Sequence, residues 1–278
     1  MIKIEETETY GWEAAIRGMR NPKNSWDKSD SVFGRKLEIP YAQNNPSIWF
    51  NKYGDEMYIG DNDLDLMHRL CAAGTDHRKF MRMIVVYCDI TAPLYWWKEF
   101  DTYKVGTVAN SCSTMHRIHA KEFTLDDFSC EHLYSDCLLE GVINELNIYR
   151  DIYNNYDKQT DEYKAEFSKK YIWWQMIQLL PSSYNQKRTV MLNYEVLNNI
   201  YTSRRNHKLD EWHDFCDWAK TLPNSKLITG ISDVTDDFWK VTRTCFAPMT
   251  EEEIARAILV GDPTQEERVI YKDALSKE

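Results

Sequence analysis

The residues best suited to chemistry lie between positions 101 and 122, in DTYKVGTVANSCSTMHRIHAKE. This segment combines small polar residues and a glycine with five basic side chains, Lys104, His116, Arg117, His119 and Lys121. The backbone amides of such a turn, together with cationic side chains, could bind a phosphate group or a flavin. The alternative interpretation is an ordinary loop followed by a solvated basic helix start.

A second polar cluster occurs at 193–208, NYEVLNNIYTSRRNHK, which has the pattern of a helix. Asn193, Arg204 and Lys208 fall roughly on one face at helical spacing, so they could contact a single ligand. Taken alone, the pattern favours the simpler alternative, a polar helix face whose arginine side chains lie in water.

Metal binding and nucleophilic catalysis receive little support from residue spacing. His116, His119 and Glu122 are spaced as metal ligands could be, but no further ligand group stands at motif spacing. The Ser-Cys-Ser triplet at 111–113 could supply a nucleophile, yet nothing assigns a base or an oxyanion hole to it. The seven cysteines are never spaced as CxxC, which indicates reduced, mostly buried thiols.

The hydrophobic pattern predicts the elements that position these clusters. Alternation predicts a strand at MIKIEETE, and β-branched residues predict the clearest strand at 82–93, ending at Pro93. The polar stretch 21–31 is predicted to be a loop. Asn62 is predicted to cap a helix over 62–73 that ends at Gly74. Further helices are predicted at 93–101, 135–155, 159–180 and 190–220.

The chain after about position 222 has a mixed pattern. KLITGIS is predicted to be a strand, and TEEEIARAIL a helix that begins with the capping-box pair Thr250 and Glu253. No repeat or low-complexity linker divides the chain. We therefore expect an α+β domain at 1–221 with a C-terminal extension at 222–278 packed on it.

Composition excludes several classes of protein. The 34 Lys and Arg residues against 44 Asp and Glu give a net charge of −10, which argues against a partner that is a nucleic acid polymer. With 43% hydrophobic and 13% aromatic residues, the chain is expected to fold around a sizeable core. Neither GxGxxG nor GxxxxGK[ST] occurs, which makes a Rossmann dehydrogenase or a P-loop NTPase a poor fit. The start lacks a signal-peptide pattern and no apolar run suits a membrane span, so a cytoplasmic protein is expected.

Seven short motifs follow one another along roughly residues 10–215. They are AIRGMR at 15–20, His77 ahead of a strand, AP at 92–93, WWKEF, NSCS at 110–113, LLP at 179–181 and LNYEVLNNIYTSR at 192–204. In this order they resemble the flavin-dependent thymidylate synthase family. That family has Asn-Glu-x-Ser in place of NSCS, and the same Asn, Asn and Arg spacing in the last motif.

The resemblance implies an α+β fold with a mixed sheet and long helices, in a homotetramer that binds FAD across subunits. It implies transfer of a methylene group from a reduced folate, methylenetetrahydrofolate, to the pyrimidine nucleotide dUMP, with NADPH as a further co-substrate. By matching position, the cofactor-contacting residues are His77, Lys104, Asn193, Asn199 and Arg204. The residues that face the nucleotide are Asn110, Ser111, Ser113 and Arg117.

The sequence departs from the family's pattern where a nucleotide would be held. The family's Arg-His-Arg triplet falls on Thr102, Tyr103 and Lys104, and one extra residue separates it from Ser113. The family's Glu is Ser111, a Gln is Glu99, and two arginines are Ile177 and Glu195. Unpaired carboxylates would repel a phosphate in a dry site, so ordinary dUMP binding is not expected. Arg117, His116 and Lys121 could form a phosphate site in a shifted position.

We therefore expect flavin-dependent, thymidylate synthase-like modification of a pyrimidine nucleotide at C5, with an altered substrate. One alternative is a catalytically retired homologue that keeps the scaffold as a nucleotide-binding or interaction protein. Another is chance similarity in an unrelated α+β protein. Neither a membrane partner nor a bound metal is expected, and flavin absorbance of the purified protein separates the first hypothesis from the other two.

Overall fold

The computed structural model describes residues 2–35, 48–50 and 55–230. The chain divides into two compact units, Met1–Ile228 and Thr229–Glu278, and the second lies almost wholly outside the described residues. How the predicted C-terminal extension packs therefore stays a prediction, and the helix predicted from Thr250 lies outside the described residues. Within the described ranges, no helix is both long enough and apolar enough to span a membrane.

A four-stranded antiparallel sheet forms the centre of the first unit. Its strands, in spatial order, are β1 (Lys3–Tyr10), β5 (Val85–Pro93), β7 (Asn185–Asn193) and β6 (Val108–Ser111). A smaller sheet contains β2 (Val32–Arg35), β4 (Asp55–Tyr58) and β3 (Ile48–Phe50), in that order. The predicted α+β class is confirmed, but the described strands pair only antiparallel rather than in both directions, because no helical crossover links two neighbouring strands in parallel.

Ten α-helices surround these sheets in the described part of the chain. They are α1 (Trp12–Arg20), α2 (Asp61–Ala72), α3 (Leu94–Phe100), α4 (Thr114–Arg117), α5 (Cys137–Asn154), α6 (Asp161–Glu166), α7 (Lys169–Leu179), α8 (Tyr194–Arg204), α9 (Asp210–Lys220) and α10 (Lys226–Thr229). Helices α3 and α8 directly follow β5 and β7. Because Val85 pairs with Asn193 and Pro93 with Asn185, these two helices begin at opposite ends of the strand pair.

An aromatic cluster joins α3 to α9 beneath the sheet. Trp96 is fully buried, and its ring centroid lies 4.7 Å from that of Trp212 and 5.1 Å from that of Phe100. Phe215 on α9 lies 5.8 Å from the same ring. Large buried aromatic rings dominate core energetics, so this cluster fixes the position of α3, whose exposed side carries the candidate site.

Two predicted helices are wrong in their boundaries. The stretch 190–220 contains the last part of β7 and then two helices, and 159–180 is broken into α6 and α7. Strand β7 was not predicted, because Gln186 and Arg188 lie on the side of the sheet that faces the core. An alternating strand pattern requires apolar residues at those positions. The segment 108–111, predicted to be part of a turn, is the edge strand β6, and the described part of KLITGIS is the helix α10.

The cap of α2 is also not the predicted one. The helix begins at Asp61, and the carboxylate of Asp30 accepts hydrogen bonds from the backbone N–H groups of Asn62 and Asp63, at 2.9 and 3.1 Å. A residue of the 21–31 loop thus satisfies amide groups that the predicted cap Asn62 would have served. The predicted helix itself is confirmed. The strands predicted at 1–8 and 82–93 are also present, with observed bounds of Lys3–Tyr10 and Val85–Pro93.

Candidate functional site

The carboxylate of Glu99, on α3, is the centre of a polar cluster that α3, α8 and α9 share. Its Oε2 accepts hydrogen bonds from Nη1 of Arg204 at 2.7 Å and from Nε1 of Trp212 at 3.0 Å. Nε2 of His207 lies 3.3 Å from the same oxygen. We call these residues, with Tyr103, the Glu99 cluster.

Arg204 is held on several sides within this cluster. Its Nε donates to the hydroxyl of Tyr103 at 2.9 Å, and its guanidinium carbon lies 5.0 Å from the Trp212 ring centroid. Only 19% of its side chain is exposed. An arginine in such a place would ordinarily present its planar donor fork to an anion. Here the Glu99 carboxylate already occupies that role, so the positive charge of Arg204 is largely neutralised from within the chain.

The loop that follows α3 contacts both ends of α8. Tyr103 reaches Arg204 at the helix C-terminus, and the carbonyl of Gly106 lies 3.5 Å from Nδ2 of Asn193 at the N-cap. Gly106 has φ of +82°, and a Cβ there would lie 2.8 Å from the Asn193 amide nitrogen. A glycine is therefore required for this approach.

Asn193 and Arg204 lie at opposite ends of α8. Oδ1 of Asn193 accepts the backbone N–H of Val196 at 3.0 Å, which makes Asn193 the N-cap. Eleven residues of helix separate it from Arg204, a distance of about 16 Å. Lys208 lies beyond the end of the helix. Asn193 and Arg204 both contact the loop that contains Tyr103 and Gly106, so they lie on the same side of α8. The predicted single face is wrong for Lys208, which the helix does not reach.

A cavity of about 220 Å³ lies beside the same loop, with Lys104, Tyr103 and Thr107 among its lining residues. Arg188 also lines it, but its Nη1 pairs with Oδ1 of Asp101 at 2.8 Å and its guanidinium lies over Trp97. Lys104 is exposed and, within the described ranges, forms no ion pair. It is therefore the cation of this cavity that could meet a ligand.

A second cavity, of about 340 Å³, opens where β6 leads into α4. Ser113, Arg117, Cys112 and Lys187 contribute to its lining. Ser113 caps α4 by accepting the backbone N–H of His116 at 3.1 Å, and Arg117 is exposed. Nζ of Lys187 lies 2.9 Å from a carboxylate oxygen of Asp89, and this hydrogen bond raises the pKa of Lys187. Of the two cations that line this cavity, Lys187 is paired with Asp89, whereas Arg117 forms no ion pair among the described residues.

The remaining predicted residues lie around these features without joining them. Asn110 and Ser111 are exposed on the edge strand β6, and Asn199 is exposed midway along α8. His77 is exposed in the turn after α2, next to Arg78, which contacts the first turn of α8. The roles of all these residues toward a ligand stay predictions.

The two carboxylates expected to repel a phosphate are both paired. Glu99 binds Arg204 as described above, and Oε2 of Glu195 lies 2.9 Å from Nε of Arg78, with both side chains mostly buried. The expectation of unpaired carboxylates was wrong, because residues far apart in sequence supply the matching cations. Each pair therefore occupies a cation, Arg204 or Arg78, that would otherwise be available to an anionic ligand.

The three residues suggested for a shifted phosphate site are separated. Nζ of Lys121 pairs with Oδ1 of Asp127 at 2.8 Å, Arg117 lines the cavity at Ser113, and His116 lines a different recess. In the part of the chain that the structure describes, no three His, Cys, Asp or Glu side chains converge as metal ligands would.

Sequence reasoning missed the partners of Arg204. Trp212, His207 and the Tyr103 hydroxyl belong to the Glu99 cluster, and none was a candidate. The only local signal was the charged Glu99 inside the aromatic helix LYWWKEF. Such a charge on a mostly apolar helix suggests a paired position, but it does not identify the partner.

Comparison with known proteins gives one kind of match. No protein-family model matches the sequence, and no curated protein matches it. Two solved structures of the flavin-dependent thymidylate synthase X of Helicobacter pylori, each with FAD and dUMP, match with a TM-score of 0.54. Each match has 13% sequence identity and covers 82% of this chain and 97% of the other. The chain has the thymidylate synthase X fold.

The similarity establishes a distant relation at the level of fold. In this fold the present chain carries the Glu99 cluster and the two cavities described above. Because one fold can serve different functions, these features bear on which function the fold supports here.

Proposed function

We propose that this protein binds a flavin and modifies a pyrimidine nucleotide, in a reaction like that of the flavin-dependent thymidylate synthases but with a substrate other than dUMP. The observation that carries the proposal is the thymidylate synthase X fold, whose solved examples hold FAD and dUMP. A reduced folate and NADPH are the co-substrates that this reaction class would require.

The arrangement of residues supports a flavin along α8. Lys104, Asn193 and Arg204 all lie against the loop at 101–107 or the helix beside it, and His77 lies near the helix start. Arg204 would approach the polar edge of the flavin ring and stabilise negative charge on the reduced ring. Flavin chemistry is the cofactor's own, and these residues would bind and orient it.

The substrate would lie toward β6 and α4. Ser113 and Arg117 line the cavity there, and Asn110 and Ser111 are exposed on the strand that leads to it. Arg117 is the cation available for an anionic group. With Arg204 neutralised by Glu99, a nucleotide monophosphate would meet fewer free cations than the family pattern offers, so thymidylate formation from dUMP should be slow.

The Glu99 cluster favours a second candidate function. An internal carboxylate that occupies Arg204 is also what a retired homologue would show, in which the scaffold binds a nucleotide or a partner without catalysis. The two candidates differ in whether bound flavin transfers electrons in response to a nucleotide.

Absorbance spectroscopy of the purified protein, with mass spectrometry of the released ligand, tests flavin binding. Arg204→Ala should lower flavin occupancy markedly, whereas Arg205→Ala on the adjacent exposed residue should change it little, with both variants folded by circular dichroism. A parent protein that neither retains nor takes up FAD would refute the first candidate.

Anaerobic reoxidation of the reduced flavin tests catalysis. The flavin is reduced with dithionite, and dUMP, UMP, dCMP and deoxyuridine are added separately together with methylenetetrahydrofolate. The first candidate expects reoxidation with at least one compound and a weak response to dUMP. Tight flavin binding with no response to any pyrimidine would instead support the retired homologue.

A further inference from the structure

A recess outside the features described so far lies between α4, the end of α5 and the start of α7. Its volume is about 650 Å³, and it is lined by Met115, His116, Tyr153, Lys169, Lys170 and Trp173. Small-molecule sites commonly have volumes of about 300 to 1,000 Å³. None of the six residues is among those that the resemblance assigns to FAD or to the pyrimidine nucleotide.

The aromatic walls of this recess are held in place. Nε1 of Trp173 donates a hydrogen bond to the carbonyl of Met115 at 2.9 Å, which ties α7 to α4. The Tyr153 ring packs against His119 with the centroids 4.6 Å apart and the rings tilted by 44°, and Nζ of Lys169 lies 4.9 Å from the Tyr153 centroid. Rings fixed by such contacts present flat surfaces at little conformational cost.

The charge around the recess is uniformly basic. Besides Tyr153, the titratable residues that line the recess are His116, Lys169 and Lys170. Among the described residues, no carboxylate lines the recess or pairs with these three. Burial lowers the pKa of His119 behind the Tyr153 ring, and the charges of Arg117, Lys169 and Arg150 lower it further. In a chain of net charge −10, this is a concentrated positive region.

We propose that this recess binds a planar aromatic ligand that carries phosphate groups, of the size of a nucleoside diphosphate. The ring would stack on Trp173, and the phosphates would lie between the ammonium groups of Lys169 and Lys170. Aromatic surfaces accept any base, and lysines act as point charges toward phosphate. The site needs no flavin, so it is independent of the function proposed above.

Isothermal titration calorimetry of the full chain with adenosine diphosphate tests the proposal. Adenosine diphosphate should bind saturably. Adenosine or pyrophosphate alone should bind at least about tenfold more weakly, because each lacks one half of the contacts. Affinity for adenosine diphosphate should also fall as the salt concentration rises. Absence of saturable binding by the parent protein would overturn the proposal.

Matched variants locate the binding. The double variant Lys169→Ala/Lys170→Ala should bind adenosine diphosphate at least about tenfold more weakly than the parent. The control variant Lys23→Ala/Lys28→Ala removes the same charge from exposed lysines of the 21–31 loop and should bind adenosine diphosphate as the parent does. Trp173→Phe, which keeps a ring, should retain more affinity than Trp173→Leu. Unchanged binding in the Lys169/Lys170 variant, or its loss in Arg204→Ala, would place the ligand elsewhere and refute the site.

Discussion

The pairing of Glu99 with Arg204 makes a quantitative prediction about stability. Glu99→Ala removes the acceptor of the Arg204 Nη1–H and the Trp212 Nε1–H, which bind it at 2.7 and 3.0 Å. Hydrogen bonds to charged groups contribute about 1.5 to 3 kcal/mol each. Because 34% of the Glu99 side chain is exposed, water can replace part of this loss. We expect Glu99→Ala to lower the free energy of unfolding by about 2 kcal/mol.

A double-mutant cycle isolates the ion pair from these other effects. Glu99→Ala, Arg204→Met and the double variant are unfolded in urea, followed by the intrinsic fluorescence of the chain's tryptophans. The coupling free energy between the two positions should be about 1 to 2 kcal/mol, with the dependence of stability on urea unchanged.

The surface pair of Arg69 and Asp65 provides the matched control. It has a similar separation, 2.8 Å between Nη2 and Oδ2, but both side chains are more than half exposed. Exposed pairs of this kind on one helix contribute about 0.3 to 0.5 kcal/mol. If the coupling of Glu99 and Arg204 is no larger than that of the control pair, Arg204 is not neutralised as argued, and the account of the site fails.

Three further outcomes follow from the geometry, and a fourth, the oligomeric state, follows from the resemblance. Glu99→Gln keeps the shape of the cluster but leaves Arg204 uncompensated, so calorimetry should show FAD binding about tenfold more tightly than to the parent; weaker or equal binding would contradict this. Asp63→Asn should cost about 3 to 5 kcal/mol near neutral pH, because it unpairs the buried Arg20, whose Nε lies 2.6 Å from Asp63. Burial acts to raise the pKa of Asp63, but hydrogen bonds from nearby serines and Arg20 outweigh it and hold the pKa below 3.8. The stability that ionised Asp63 contributes is therefore present above pH 3.8 and is lost as the pH falls further. Urea unfolding at several pH values should show the variant losing less stability in acid than the parent. Gly11→Ala should destabilise by about 2 kcal/mol or more in urea unfolding, since the Cβ would lie 2.0 Å from the Met83 carbonyl oxygen at a φ of +88°, and an unchanged midpoint would refute the strain. Light scattering should give the mass of a homotetramer, and a mass near the 33.0 kDa of one chain would exclude it.

Hydrophobic periodicity predicts the strands whose covered positions are apolar. In β5, Val86, Cys88 and Ile90 alternate on the buried side, and the strand is evident from its sequence. In β7 the corresponding positions include Gln186 and Arg188. Arg188 lies 4.1 Å over the Trp97 ring and pairs with Asp101, so a charged residue fills a place where periodicity requires an apolar one. Only tertiary contacts show why it is tolerated.

The same limit applies to the candidate site. The positions of Asn193 and Arg204 in their motif can be read from sequence, and so can the loss of the Arg-His-Arg triplet. The pairing of Arg204 with Glu99 cannot, because 105 residues separate the two and helices from three parts of the chain bring the cluster together. A charge that looks available in sequence can therefore be neutralised in the fold.

The placement of uncompensated positive charge is the strongest remaining constraint on function. At the C-terminus of α8, Arg204 is matched by Glu99, and near its start Arg78 is matched by Glu195. Lys104, Arg117 and the Lys169–Lys170 pair form no ion pair among the described residues. An anionic group binds where its charge is not opposed by a nearby carboxylate, since desolvating it beside one is costly. An anionic group of a ligand should therefore be held at Lys104, at β6–α4 or at α7. At the C-terminal end of α8, a flavin should depend on hydrogen bonds and stacking more than on net positive charge.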